Sequence, residues 1–407
     1  MNCRHCATPL RHAFLDLGHA PPSNAYLTEV DLRRPERYYP LRLWVCDRCW
    51  LVQTEDYANA GELFDADYAY FSSTSSSWLA HARTYAQHMR ELLALSADSL
   101  VIEVASNDGY LLRNFVEAGV PCLGIEPTAS TADAAERLGI PVLREFFGKR
   151  LGQQLAEEGK QADLLLGNNV FAHVPDINDF ALGLKAALKP GGTLTLEFPH
   201  LLRLIELVQF DTVYHEHFSY LSLYSAQRIL NAAGLRIHDV EELATHGGSL
   251  RIHASHMDDS RSVSPGVHAL LQAEENAGLR ELVVYECFQA RADRLKDDLL
   301  AFLLEQKRSG RKVVAYGAAA KGNTMLNYAG IKPDLLPCVF DAAPSKQGKY
   351  LPGSHIPIRS PEELDKVRPD LLLILPWNIA DEVMEQNGRI RQWGGRFVTA
   401  VPQLEVK

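Results

Sequence analysis

The sequence predicts an α/β fold in three parts, a small N-terminal metal-binding module followed by two Rossmann-like halves. Three observations carry that expectation. Two Cys-x-x-Cys pairs stand near the N-terminus, Cys3-Arg-His-Cys6 and Cys46-Asp-Arg-Cys49. A strand pattern, a loop of small and polar residues and a helix pattern follow one another at residues 100–119, and the same order returns at residues 311–328. The composition is that of globular protein, 46% hydrophobic and 23% charged over 407 residues. At roughly 150 residues per domain that length points to two or three domains.

The charge balance, 41 Lys+Arg against 51 Asp+Glu, gives 41 − 51 = −10. Neutralising a phosphate backbone needs a basic surface, so nucleic acid is not expected as the partner. The first six residues hold no apolar stretch of a signal peptide. No uncharged apolar run reaches about 18 residues, so no membrane span is expected. A cytoplasmic location follows as the expectation, and there thiols stay reduced.

Reduced thiols in close pairs point to metal. Two residues between cysteines let both sulfurs of a knuckle face one ion, and two knuckles complete a tetrahedral set. The 39 residues between the pairs weaken this little, because loop closure costs grow only logarithmically with length. Cys3, Cys6, Cys46 and Cys49 are therefore read as ligands of a structural Zn2+. Four thiolates leave no open position for a substrate. His5, His12 and His19 are read as bystanders, and Cys122, Cys287 and Cys338 as core residues.

In the middle of the chain, residues 75–97 read as a helix with Trp78, Leu79, Ala82, Tyr85, Met89, Leu92 and Leu93 on its apolar side. Leu100-Val-Ile-Glu-Val-Ala-Ser-Asn-Asp-Gly109 reads as a buried strand running into a polar loop, and Pro121-Cys-Leu-Gly-Ile-Glu126 as a second strand ending in an acid. That order is a nucleotide-type βαβ unit, in which small loop residues admit a ligand and the acid can bind two ribose hydroxyls. Ala105-Ser-Asn-Asp-Gly109 stands where a dinucleotide fingerprint has Gly-x-Gly-x-x-Gly, which disfavours NAD. Ala162–Asn169 reads as a further strand with a polar end, and Leu188-Lys-Pro-Gly-Gly192 as a turn feeding the strand Thr193–Glu197.

Residues 98–200 thus resemble the class I Rossmann-like methyltransferases that use S-adenosylmethionine. The resemblance implies cofactor contacts from Glu103, Ala105, Asn107, Asp108, Gly109, Glu126, Asn168 and Asn169.

Next comes Phe210-Asp-Thr-Val-Tyr214-His215-Glu216-His217-Phe218-Ser219-Tyr220, dense in Tyr, His and Glu. A His-Glu-x-x-His zinc motif is absent, since Ser219 takes its fifth position. Residues 290–309 read as an amphipathic helix. The second Rossmann-like unit follows, with the strand Pro337–Asp341, a loop carrying Lys346 and the buried strand Leu371–Leu375. Such a unit offers a helix N-terminus to phosphate.

With these residues in view the whole chain resembles the C-methyltransferases acting on nucleotide-linked ketosugars, of the D-tetronitrose type. The resemblance implies a zinc-binding module over 1–66, a methyltransferase domain over 67–200, and a catalytic loop with a nucleotide-sugar domain over 201–407. The family's Tyr-x-Glu-His falls on Tyr214, Glu216 and His217, its earlier tyrosine on Tyr70, and its active-site histidine on His173. Lys321, Asp341 and Lys346 are implied near the sugar nucleotide, and His246-Gly-Gly-Ser249 at the active-site wall. A monomer acting on an NDP-4-keto-6-deoxyhexose at C-3 is the implied protein.

These residue types suit carbon methylation. A carbon beside a ketone becomes nucleophilic as an enolate, histidine can remove the proton near neutral pH, and a tyrosine hydroxyl can meet the charge on oxygen. Glu216 is expected to orient the imidazole or to stabilise its protonated form. Two other readings stay open at this point, an O- or N-methyltransferase of small molecules and a non-catalytic zinc-containing scaffold.

Overall fold

The computed structural model describes residues 1–55, 57 and 72–407; Tyr70 lies outside the described residues. Three sheets organise the described residues.

The central sheet has seven strands in the order Leu235–Leu243, Ser249–His256, Leu188–Pro199, Ala162–Asn168, Val101–Val104, Cys122–Ile125, Val142–Leu143. The last five run parallel, and the first two add an antiparallel hairpin at the edge. All four residues of Val101–Val104 are buried, as expected for a parallel strand covered on both faces. The hairpin carries this sheet past residue 200, where the resemblance places a domain boundary. Strand Ser249–His256 pairs with Leu188–Pro199 over six residue pairs, so the sheet extends well beyond it.

Local chemistry shapes several other boundaries. The helix read over 75–97 spans Ser76–Leu92. Ser75 caps it by accepting from Trp78 N–H, and Ala94 at φ 48° turns the chain out after the C-cap. Lys189–Gly192 bulge out of the ladder, since Leu188 pairs with Ala162 but Thr193 pairs with Leu164. The loop after Val104 turns through positive φ at Ala105 (56°), Asn107 (50°) and Gly109 (78°). Only glycine serves at the last, because a Cβ there would stand 2.5 Å from Ile140 Cδ1.

The C-terminal sheet is six-stranded, in the order Ile358–Arg359, Val339–Phe340, Val313–Tyr316, Leu371–Ile374, Arg396–Thr399, Glu405–Val406, parallel except for its last strand. Val313–Tyr316 feeds the loop Gly317–Ala319 and the helix Ala320–Tyr328.

The third sheet joins the N-terminal strands His12–Ala20, Tyr39–Val45 and Val52–Thr54 to Ser219–Tyr220. Gln53 pairs with Ser219 and Val52 with Tyr220, so the module is stitched to the segment that carries Tyr214, Glu216 and His217. The module also shares a core with the C-terminal half, with Phe14 packing on Phe288 (4.8 Å between centroids) and Tyr285 (5.3 Å). On its other side Cys3, Cys46 and Cys49 belong to the core of the central domain.

The four cysteines converge. Their sulfurs all lie within 4.8 Å of one another, with Cys3–Cys49 at 3.4 Å and Cys6–Cys46 at 3.6 Å. Tetrahedral Zn–S bonds of about 2.3 Å put sulfurs about 3.8 Å apart, so this donor set fits zinc. The second knuckle sits in the hairpin between Tyr39–Val45 and Val52–Thr54. The first docks on the central domain, where Asn178 Nδ2 donates to the Arg4 and His5 carbonyls. Of the remaining cysteines, Cys122 and Cys338 are buried, but Cys287 is exposed. It lies between the helices Leu282–Glu286 and Phe288–Arg308, a junction that leaves it in solvent and corrects its reading as core.

Replacing Cys49 with serine removes one thiolate from a folded metal site. Metal analysis is expected to fall from one zinc per chain toward none, and the thermal midpoint to drop with it. An unchanged zinc content and midpoint would contradict the assignment.

Candidate active site

A cleft of about 510 Å³ opens between the central sheet and the C-terminal half. Strand ends supply one wall. Ala105 and Asn107 follow Val101–Val104, Glu126 follows Cys122–Ile125, and Asn168 and Asn169 end Ala162–Asn168 and its loop; all five line the cleft. This is the carboxyl edge of a parallel sheet, where ligands bind in open α/β folds.

The polar groups along this wall point to a ligand with a polyhydroxylated part. Glu126 sits at the strand end with Oε2 accepting from Asn107 N–H (3.0 Å) and Oε1 from Thr128 N–H (2.9 Å). Both polar atoms of the Asn168 side chain are buried without a hydrogen-bond partner, although such atoms are normally paired. The amides of Ser72 and Ser73 donate to Asn107 Oδ1 (2.9 Å) and Asp108 Oδ2 (3.1 Å), which ties the entry of the helix Ser76–Leu92 to the loop. These residues fit S-adenosylmethionine.

Three expected cofactor contacts stand behind the wall. Glu103, Asp108 and Gly109 do not line the cleft. Glu103 lies mid-strand, and burial together with the charges of Asp108 and Glu126 pushes its carboxyl well above the usual range.

The segment between Thr212 and Ser219 crosses the floor as a loop. His217 lines the cleft, whereas His215 turns away and lies within hydrogen-bonding distance of the Pro40 carbonyl (3.3 Å). A turn at His215 and Glu216, closed by His217 N–H donating to the Tyr214 carbonyl (3.0 Å), breaks the two-residue alternation that would put both histidines on one face. His217 Nδ1 donates to the Thr212 carbonyl (3.0 Å), which leaves Nε2 as the basic nitrogen. Its ring packs on Tyr214 (4.0 Å between centroids) and on His173 (4.6 Å, edge on). Burial, then the neighbouring His173, hold His217 well below the usual histidine range, so the imidazole is neutral at neutral pH. The Thr212 carbonyl therefore fills the orienting role expected of Glu216. The Glu216 carboxylate accepts instead from Asn24 Nδ2, at 2.8 Å to each oxygen.

Asn24, from the N-terminal module, lines the cleft and was not legible in the sequence, since no periodicity or spacing marks Pro21-Pro-Ser-Asn24. Trp78 reads as a core position of its helix but also lines the cleft, stacked on Tyr110 (5.9 Å) and tilted against His246 (5.0 Å). His246 stands at φ 55° with Asn169 Nδ2 3.1 Å from its Nε2. Behind it, buried Glu197 accepts from Thr245 (3.0 Å) and pairs with Arg251 (2.9 Å).

The opposite wall belongs to the C-terminal half. Ala319, Ala320, Lys321 and Lys346 line it. Asp341 stands behind, accepting from the Ala318 and Ala343 amides (2.7 and 2.8 Å) and 3.8 Å from Lys346. It shapes the loop and does not line the cleft.

A sheet of this topology with such a cleft defines a nucleotide-cofactor enzyme of the methyltransferase type. Models of three families match the chain: "Putative zinc binding domain" over residues 3–64, "Methyltransferase domain" over 78–240 and "C-methyltransferase C-terminal domain" over 244–402. C-methyltransferase NovU of Streptomyces niveus is 33% identical over 404 residues, 99% of this chain and 96% of that protein. The ubiquinone biosynthesis O-methyltransferase of Methylobacterium nodulans is 31% identical over 115 residues, 27% of this chain and 44% of its own. A solved S-adenosylmethionine-dependent methyltransferase of Clostridium acetobutylicum superposes with a TM-score of 0.35 at 10% identity, covering 43% of this chain and 90% of that one. The chain belongs to the S-adenosylmethionine-dependent C-methyltransferases. No helix among the described residues is long and apolar enough to cross a membrane.

Burial depresses His173 and His246 to about 4. The unfolded chain, with histidines near 6.5, takes up protons that the folded chain refuses. Stability is therefore complete above pH 6.5 and is lost as pH falls toward 4. Comparing the protein with His246→Gln in urea titrations is expected to show a gap in this acid dependence of about 3 kcal/mol. Parallel pH dependences would contradict the burial of a neutral ring.

Proposed function

We propose that the enzyme methylates the carbon beside the ketone of a nucleotide-linked 4-keto-6-deoxyhexose, at C-3, through an enolate. The observation that carries this reading is one cleft with three kinds of wall. A strand-end carboxylate and amides lie on the methyltransferase side, a neutral imidazole lies on the floor, and two lysines lie on the Rossmann-like side. A substrate with an anionic end and a carbonyl end matches that order, and an O- or N-methyltransferase has no need of a carbon-acid base.

Bound S-adenosylmethionine supplies an electrophilic methyl group. Glu126, Asn107 and Asn168 would hold its polar parts, with Glu126 on the ribose hydroxyls. Lys346 and the amides that begin the helix Ala320–Tyr328 would meet the diphosphate. His217 Nε2 takes the proton from the substrate carbon, while the Thr212 carbonyl keeps the other ring nitrogen protonated and the ring fixed. The same burial that keeps His217 neutral beforehand strengthens its attraction to the negative enolate once the proton arrives. The Tyr214 hydroxyl, and that of Tyr70, would donate to the ketone oxygen. His173, itself neutral, packs the imidazole edge and adds no competing charge. Asn24 holds the Glu216 carboxylate beside this centre.

The test is proton exchange. In deuterated water the wild-type enzyme is expected to wash deuterium into the substrate carbon, and His217→Asn to slow this at least about 100-fold. Unchanged exchange in the variant would remove His217 from the role of base, and methylation without any exchange-competent carbon would favour an O- or N-acceptor.

A further inference from the structure

The two lysines of the cleft occupy different electrostatic settings, and the difference separates their roles. Lys346 Nζ donates to the Ala318 carbonyl (2.9 Å), lies 3.8 Å from Asp341 and stands over the Tyr26 ring. It thus sits at the loop that begins the helix Ala320–Tyr328, on the phosphate-type edge of the C-terminal sheet. Lys321 leaves that edge. Its ammonium lies over the Trp377 ring, 4.7 Å from the centroid, and donates to the neutral Asn378 Oδ1 at 2.6 Å.

Among the described residues no carboxylate comes within ion-pair distance of Lys321. The negative charge that acts on it is that of Asp211, which accepts from Trp377 Nε1 at 2.7 Å. The other groups that feel the Lys321 charge are His217 and His246, both in the cleft wall around the reacting centre. A cation held half-buried by an indole face and an amide, with its charge uncompensated at contact distance, is a site for negative charge that arrives later.

The aromatic mount also fixes its place. Trp377 presses on the His246 loop, where a Cβ at Gly247 would come within 2.3 Å of its ring. Its Nε1–H reaches Asp211, the residue before Thr212, whose carbonyl holds His217. Base and cation are therefore positioned by one rigid cluster.

We propose that Lys321 is a catalytic residue of the carbon-acid step, receiving the charge that develops on the ketone oxygen, while the diphosphate is held by Lys346. This rests on the enolate reading above. In the step, His217 Nε2 takes the proton from the carbon beside the ketone. The C–H electron pair becomes the C=C bond of the enolate, and the C=O π pair moves onto oxygen. The Lys321 ammonium keeps its protons and donates one hydrogen bond to that oxygen, beside the Tyr214 hydroxyl. The C=C pair would then form the bond to the methyl group that S-adenosylmethionine supplies, whose bond to sulfur breaks with its pair left on the thioether. The oxygen pair returns to C=O, the proton on His217 leaves to solvent, and the lysine is unchanged. Burial lowers Lys321 to about 8, which leaves it charged at neutral pH.

The test compares Lys321→Met and Lys346→Met with the wild-type enzyme by two readouts. One is the rate of deuterium exchange into dTDP-, GDP- and CDP-4-keto-6-deoxyhexoses at saturation. The other is calorimetric affinity for dTDP, GDP and CDP, which also reports that each variant is folded. Lys321→Met is expected to lose about 100-fold or more in exchange, the effect of removing one oxyanion donor, with nucleotide affinity within about threefold of wild type. Lys346→Met is expected to lose about tenfold in nucleotide affinity. Exchange undiminished in Lys321→Met would overturn the role of Lys321 while leaving the enolate reading in place. Nucleotide affinity lost in Lys321→Met would also overturn it, making that residue a phosphate anchor. A wild-type enzyme that exchanges none of the ketosugars would overturn the enolate reading itself.

Discussion

The pairing of Val52–Thr54 with Ser219–Tyr220 is the constraint on which the site depends. The residues Tyr214–His217 form no regular element, and a loop of that kind pays conformational entropy for every fixed side chain. Its C-terminal end is fixed by a strand of the zinc module, which the Cys46–Cys49 knuckle folds back on itself. Its N-terminal end is fixed by Asp211, through Trp377 of the C-terminal half. All three parts of the chain must be assembled before His217 faces the cleft. A zinc held by the four cysteines would act on this loop by holding a strand.

This dependence explains why the three parts share cores. Phe14 and Phe288 fuse the module to the C-terminal half, while all four cysteines are packed with the central domain. Loosening either contact would free the loop of residues 214–217, so the sequence builds one body from parts that each read as separate domains.

Much of this was legible in the residues. The two Cys-x-x-Cys pairs gave the metal cluster because thiolate spacing is local chemistry. The strands Val101–Val104, Cys122–Ile125 and Leu371–Ile374 announced themselves as apolar runs with polar ends. Other features depend on contacts between distant segments. The edge hairpin of residues 235–256 has no mark in the sequence that assigns it to one sheet and not another. Glu216 was expected beside the imidazole, but the amide that holds it comes from Asn24, 192 residues earlier. Trp78 carries the same apolar signal whether it fills a core or lines a cleft, and Trp377 becomes meaningful only once Asp211 and Lys321 lie on either side of it. Glu103 and Gly109 illustrate the reverse case, since strand and loop stand where the resemblance puts them while the Glu103 side chain and the Cβ space at Gly109 serve the packing behind the wall.

The central claim is that this cleft makes a carbon–carbon bond next to a ketone. Its most direct test supplies S-adenosylmethionine carrying a 13C methyl group together with an NDP-4-keto-6-deoxyhexose labelled with 13C in the sugar. NMR of the product then reads the atom to which the methyl is attached. A one-bond carbon–carbon coupling between the methyl and C-3 is the result predicted here. A methyl carbon without that coupling, at the shift of a methyl ether or amine, would contradict it.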